Sequence, residues 1–175
     1  MSRPVRPELG AGETLGRGYR PDPRRRAVGL SLWDWTLEVY ARPGVPEATL
    51  ELQDEHGLNT SLLLWAVWAD PDPDALANGV QTTVRWDETV LWPLRNVRRT
   101  LKTGGPPFPD AAREGLREDV KAAELRAERV LMEALETLAG KASEPDVLGA
   151  LTRASWAWNS APPGEALRRL AKAMA

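Results

Sequence analysis

The sequence has no cysteine, so disulfides, thiolate nucleophiles, zinc ribbons and iron–sulfur clusters are all excluded. It has one histidine, His56, which removes most histidine-dependent metal and triad chemistry. Neither sign of charge is in excess: 23 basic and 25 acidic side chains leave a formal charge of −2. That balance predicts neither nucleic acid nor an anionic membrane as partner. The longest apolar run, Leu62 to Ala69, is eight residues, whereas a membrane-spanning helix takes about twenty. No stretch of residues 1–29 is apolar enough for the core of an export signal, so the expected location is cytoplasmic. Alternating strand patterns and internal repeats are also missing.

What is present describes a helical protein. A chain of 175 residues, 42% hydrophobic and 27% charged, suits one soluble domain plus tails. Residues 1–29, with four prolines, five glycines and seven arginines, read as a disordered basic leader. Their Arg24-Arg25-Arg26 run is taken as solvated rather than as a phosphate site. Residues 30–175 read as a single all-α domain, a compact bundle of about six to eight helices with one long amphipathic helix.

Helix signals place the elements. Ser31 caps a first helix whose outer stripe, Asp34, Glu38 and Arg42, has i, i+4 spacing, so an ion pair between Glu38 and Arg42 is predicted. Pro43-Gly44 ends it, and a second helix runs from Pro46 to about His56 with Gly57 as its left-handed cap. Asn59 caps the third helix, which is apolar all round and is the expected centre of the core. Pro73 opens a short helix that Gly79 is expected to interrupt. In the helix after it, Trp86, Val90, Leu94, Val97 and Leu101 share a face, and Pro93 either kinks that helix or starts a new one. Thr103 to Pro107 is a linker. The long helix spans Asp110 to about Ala139, with Leu116, Val120, Ala123, Ala127, Val130 and Ala134 as its predicted seam. Two further helices follow, one ending near Trp158 and one after Pro162-Pro163.

Few residues are candidates for chemistry. Asp70, Asp72 and Asp74 fit the start of a calcium-loop register, but Ala75 and Gln81 replace its glycine and glutamate, so Asp72 reads as a helix cap before Pro73. His56 has acidic neighbours and no nucleophile beside it; its position at a helix end is explained by the free carbonyls there. No metal site and no cofactor is expected. Arg95, Arg98, Arg99 and Lys102 lie at i, i+3, i+4 and i+7, forming a basic stripe that is either paired within the fold, for example with Glu124 or Glu128, or a docking strip for an acidic partner. Of the eight tryptophans, Trp33, Trp35, Trp65 and Trp68 read as core, while Trp92, Trp156 and Trp158 fall off the core stripes and would mark a binding surface if exposed.

Several blocks carry a resemblance. Leu32-Trp33, Leu37 and Tyr40 through Val45, then Leu52-Gln53-Asp54, His56-Gly57 and Leu62-Leu63-Leu64, resemble an uncharacterised bacterial family, domain-of-unknown-function family 2390. Pro93-Leu94-Arg95, Arg98-Arg99, Leu101-Lys102, Leu116-Arg117, Val120-Lys121, Glu124-Leu125 and Ala127-Glu128 extend the similarity to about residue 130. The resemblance implies a small cytoplasmic helical protein with a family-like core over about 32–140, a C-terminal extension over 141–175, and no catalytic residue to carry over.

Two functional readings follow. The first is a protein-interaction or regulatory module, monomeric or weakly dimeric, with an acidic protein partner on Arg95, Arg98, Arg99 and Lys102. The second is a helical pocket for an apolar small molecule, or a metal-free enzyme, built on Asp34, Glu38, Tyr40, Arg42 and His56. A deep cavity bearing two or more of those polar groups would favour the second, and a tryptophan-bearing surface the first.

Overall fold

The structure, a computed structural model, describes residues 30–138 and 146–175. The expected leader and the junction around Gly140 lie outside them. The described residues form eight α-helices and no strand: α1 Leu32–Tyr40, α2 Val45–Asp54, α3 Thr60–Ala69, α4 Pro73–Trp86, α5 Trp92–Lys102, α6 Asp110–Thr137, α7 Val147–Asn159 and α8 Gly164–Met174. A π-helical turn, Asp87–Leu91, joins α4 to α5. The two therefore run on without a break, giving seven helical bodies in all.

Three caps act as the local sequence predicts. Ser31 accepts from the Asp34 amide at 3.1 Å, Asn59 from the Leu62 amide at 3.1 Å and Asp72 from the Ala75 amide at 2.8 Å. Each satisfies a helix-end donor that has no partner inside the helix. The α1 terminus is also held from a distance, since the Leu32 amide donates to Glu136 on α6.

α3 is the centre of the core. Leu62, Leu63, Leu64 and Trp65 are buried completely or nearly so, and of its ten residues only Trp68 keeps partial exposure. Around it stand Leu32 and Val39 of α1, Leu52 of α2, Leu131 and Leu135 of α6 and Leu151 of α7, and Leu167 joins the same core from α8, which packs on α2 and α7. Trp33, Trp35 and Trp68 pack against this core partly exposed, leaving Trp65 as the one of the four expected core indoles that is fully enclosed.

Several expectations are corrected. Gly79 does not interrupt α4; it lies inside the helix where the Trp65 ring presses on the backbone. The irregularity falls instead at the π turn, where the Trp92 amide bonds to the Asp87 carbonyl five residues back. Widening the helix there accommodates Pro93, which lacks the amide that an α-helical register would use. The extra residue also rotates the faces: Leu91 is fully buried, Trp92 turns outward, and Val97 of the predicted apolar face is 47% exposed.

The seam of α6 is rotated as well. Leu116, Val130 and Ala134 are exposed, while Arg117, Val120, Glu124, Ala127, Leu131 and Leu135 face inward at spacings of three and four. The periodicity is as expected, but partly buried charges occupy the half that packs on α5. At the hairpin tip Arg113 of α6 donates to the Leu101 carbonyl, covering the open end of α5.

Arg42 does not pair with Glu38. Its Nη1 donates to the Met174 carbonyl at the end of α8, and its Nε is buried with no hydrogen-bond partner. Gly44 adopts φ +88°, and a β-carbon there would touch Ala173 at 3.5 Å. The turn after α1 is therefore shaped to receive the last turn of α8.

Candidate functional site

The basic stripe of α5 divides into two halves with different neighbours. Arg95 is 12% exposed and sits at the centre of an ion network: its Nη1 reaches Asp87 at 3.1 Å, its Nε Glu124 at 3.2 Å and its Nη2 Glu128 at 3.5 Å. Arg98 meets the other oxygen of Glu124 at 2.6 Å. Asn59, while capping α3 with its oxygen, donates its amide to Asp87 at 3.2 Å. The π turn, α5, α6 and the start of α3 are thus joined through one guanidinium. Such a network specifies how these elements meet more than it adds stability, because desolvating the charges offsets much of their attraction.

Burial pushes the Glu128 carboxyl above its ordinary pKa, an effect that the Arg95 charge opposes and the Glu124 charge reinforces. Burial likewise raises the Tyr40 hydroxyl; the neighbouring Thr49 and Thr60 hydroxyls oppose this and the Glu128 charge adds to it. Tyr40 is accordingly enclosed near Thr49, Thr60 and Glu128.

The outer half of the stripe is available. Arg99 is 62% exposed, and its partner among the described residues is Asp54 at 3.9 Å, itself half exposed. Lys102 is exposed and makes no ion pair among the described residues. Of the two alternatives left by the spacing, pairing within the fold therefore holds for the inner two cations, against which α6 places Glu124 and Glu128, while Arg99 and Lys102 stay exposed.

Beside Arg99 opens a cleft of about 190 Å³, lined by Gln53, Gly57, Leu58, Asn59, Asp87, Trp92, Arg95, Arg99 and Trp158. Trp158 is fixed as one wall, its indole N–H donating to the Gly57 carbonyl at 2.9 Å. Trp92 is 59% exposed. Two wider, more open depressions, of about 460 and 510 Å³, lie at the loop from Gly104 to Asp110 and between α2 and α8.

The remaining candidates are scattered. Asp34 and Glu38 are exposed on α1, Asp34 exchanging hydrogen bonds with Ser31. Arg42 is committed to α8. None of Asp34, Glu38, Tyr40, Arg42 and His56 lines the three openings above. His56 and two of its acidic neighbours, Glu51 and Glu55, do bring ligand-type atoms within 4.8 Å of one another, but Glu51 is held by Arg169 of α8. In the calcium-like register Asp72 caps α4 and Asp70 pairs with Arg153. Asn59, Asp87 and Gln53 were not singled out as cleft residues. The signal for that cleft was Trp92, whose position off the apolar stripe pointed outward.

Comparison with known families agrees with the blocks that carry the resemblance. The family described as a protein of unknown function (DUF2390) matches residues 31–135. The chain belongs to this family. No curated protein and no solved structure matches the chain. The matched region of this DUF2390 member contains the whole ion network and every cleft residue except Trp158, which α7 supplies from beyond it. No helix among the described residues is long and apolar enough to cross a membrane.

Proposed function

We propose that this DUF2390 protein is a protein-interaction or regulatory module that docks an acidic partner on the outer edge of α5. The observation that carries this reading is that Arg99 and Lys102 remain exposed on α5, Arg99 sharing a cleft with an exposed indole, Trp92, while the inner arginines are neutralised within the fold. Exposed cations steer acidic surfaces during encounter, and tryptophan supplies contact area once the surfaces meet. Phosphate polymers fit less well, since this edge of α5 offers two exposed cations among the described residues and affinity for a polyanion grows with the number of contacts. The module is read as a single cytoplasmic domain acting as a monomer or weak dimer, with no cofactor.

Affinity purification from the protein's own cells tests this, comparing the unchanged chain with an Arg99→Glu/Lys102→Glu variant. An acidic protein recovered by the first and lost from the second supports the reading. The same proteins recovered by both variants overturn it. Light scattering at micromolar concentration tests the oligomeric state.

A further inference from the structure

Resting on that reading, we infer that the cleft between Trp92 and Trp158 receives one apolar side chain of the partner polypeptide, with a neighbouring acidic side chain of the partner paired to Arg99. Size is the first argument. Sites for whole small-molecule ligands generally run to about 300–1,000 Å³, and this cleft holds about 190 Å³. That is room for a single bulky side chain and less than a drug-sized ligand takes.

The walls favour the same occupant. Trp158 is positioned in advance by its bond to Gly57, which itself takes a positive φ of 62°, so one indole face costs little to organise. Trp92 stands exposed on the first turn of α5, held outward by the π turn behind it. Enclosing an apolar group between the two would remove that indole from water, the kind of burial on which interface hot spots rest.

Charge selects the residue next to the apolar one. Arg95 lines the cleft but already faces three carboxylates, so it offers a partner no uncompensated charge. Arg99 meets only Asp54, at 3.9 Å and with both side chains at least half exposed. An exposed pair of that kind is weak, and a partner carboxylate that is partly desolvated on docking exchanges readily with it. Lys102, three residues further along α5, extends the same preference to a second acidic residue.

Paired tryptophan and arginine also suit a stacked nucleotide base. Here, however, Arg99 is the one exposed cation among the residues that line the cleft, enough for a single acidic side chain but not for a phosphate backbone, whose affinity grows with the number of contacts. The polypeptide is therefore the better occupant.

Titration of the full chain, followed through its indole N–H resonances, tests the inference. The probes are a blocked Asp-Glu-Trp-Glu peptide, the same peptide with alanine for tryptophan, one with lysine for each acid, and an oligothymidylate. Trp92→Phe and Trp158→Phe variants assign the two resonances. The acidic tryptophan peptide should shift both of them and bind at least tenfold more tightly than either altered peptide. Its affinity should fall with added salt and drop at least tenfold in Arg99→Glu. Equal binding of the alanine peptide, shifts confined to other indoles, or tighter binding of the oligothymidylate would each overturn the inference. Cellular capture with Trp92→Ala separates the two levels. Loss of the partner on Arg99/Lys102 reversal but not on Trp92→Ala leaves the interaction module standing and removes the cleft as its receptor. Circular dichroism and thermal melting confirm that each variant is folded.

Discussion

Gly79 of α4 lies directly against the indole of Trp65 on α3, so close that a β-carbon at Gly79 would sit 2.4 Å from Trp65 Cζ3. The ring is fully buried at the centre of the core. Its N–H is buried with no hydrogen-bond partner, so close packing is what this side chain contributes. A glycine inside a helix ordinarily costs about 1 kcal/mol relative to alanine; here that cost permits two helices to approach around the largest residue of the core.

Gly79→Ala should therefore destabilise by about 1–3 kcal/mol, the usual consequence of overfilling a packed core. Gly115, in α6, has open space where its β-carbon would point. Gly115→Ala should stabilise by about 0.5–1 kcal/mol. Urea denaturation of both variants checks the opposite signs.

Glu124→Gln should cost about 3 kcal/mol, because it leaves two poorly solvated guanidiniums short of charge. The exposed pair Arg129–Glu133, at 2.9 Å, is the control: Glu133→Gln should change stability by less than about 0.5 kcal/mol. A similar small effect in both variants would show that the network is no more than a surface ion pair.

Glu128 makes stability depend on pH in a predictable direction. Its ordinary pKa is 4.5 and burial raises it in the folded chain. As pH rises through the ordinary value, the unfolded chain releases this proton first, so the unfolded state is favoured and stability falls. The fall ends once pH has passed the raised, folded-state value. Glu128→Gln removes this contribution. The stability of the variant minus that of the unchanged chain should grow with pH above about 4.5 and then level off. A difference that is constant with pH would remove Glu128 as the cause.

The contact between Arg42 and α8 predicts an effect far away in sequence. Arg42→Ala removes a charged donor from the Met174 carbonyl and should cost about 1.5–3 kcal/mol. Hydrogen exchange in the last turn of α8 should accelerate with it, while α1 exchanges as before. Gly44→Val should destabilise further, since φ is +88° and a branched side chain would also meet Ala173. Faster exchange confined to α1 would mean that Arg42 serves its own helix instead.

The sequence by itself determined the three side-chain caps and most of the helices, though not the continuity of α4 through Gly79 or the π turn, because caps depend on interactions within one turn. Ser31, Asn59 and Asp72 each bond a backbone amide three residues ahead, and the apolar run from Leu62 to Ala69 has no outward face to offer. The exposure of Trp92 was also legible, from its place off the apolar stripe. Which side of α6 turns inward, which two of four cations are neutralised and where Arg42 points were decided by tertiary structure alone. Glu124 lies 29 residues from Arg95, and Met174 lies 132 from Arg42. Helical spacing can say that four cations share a face. Whether that face meets water or carboxylates depends on which helix packs against it. The cleft has the same origin, since Gln53, Asn59, the pair Asp87 and Trp92, and Trp158 come from four separate segments that only the packed chain brings together.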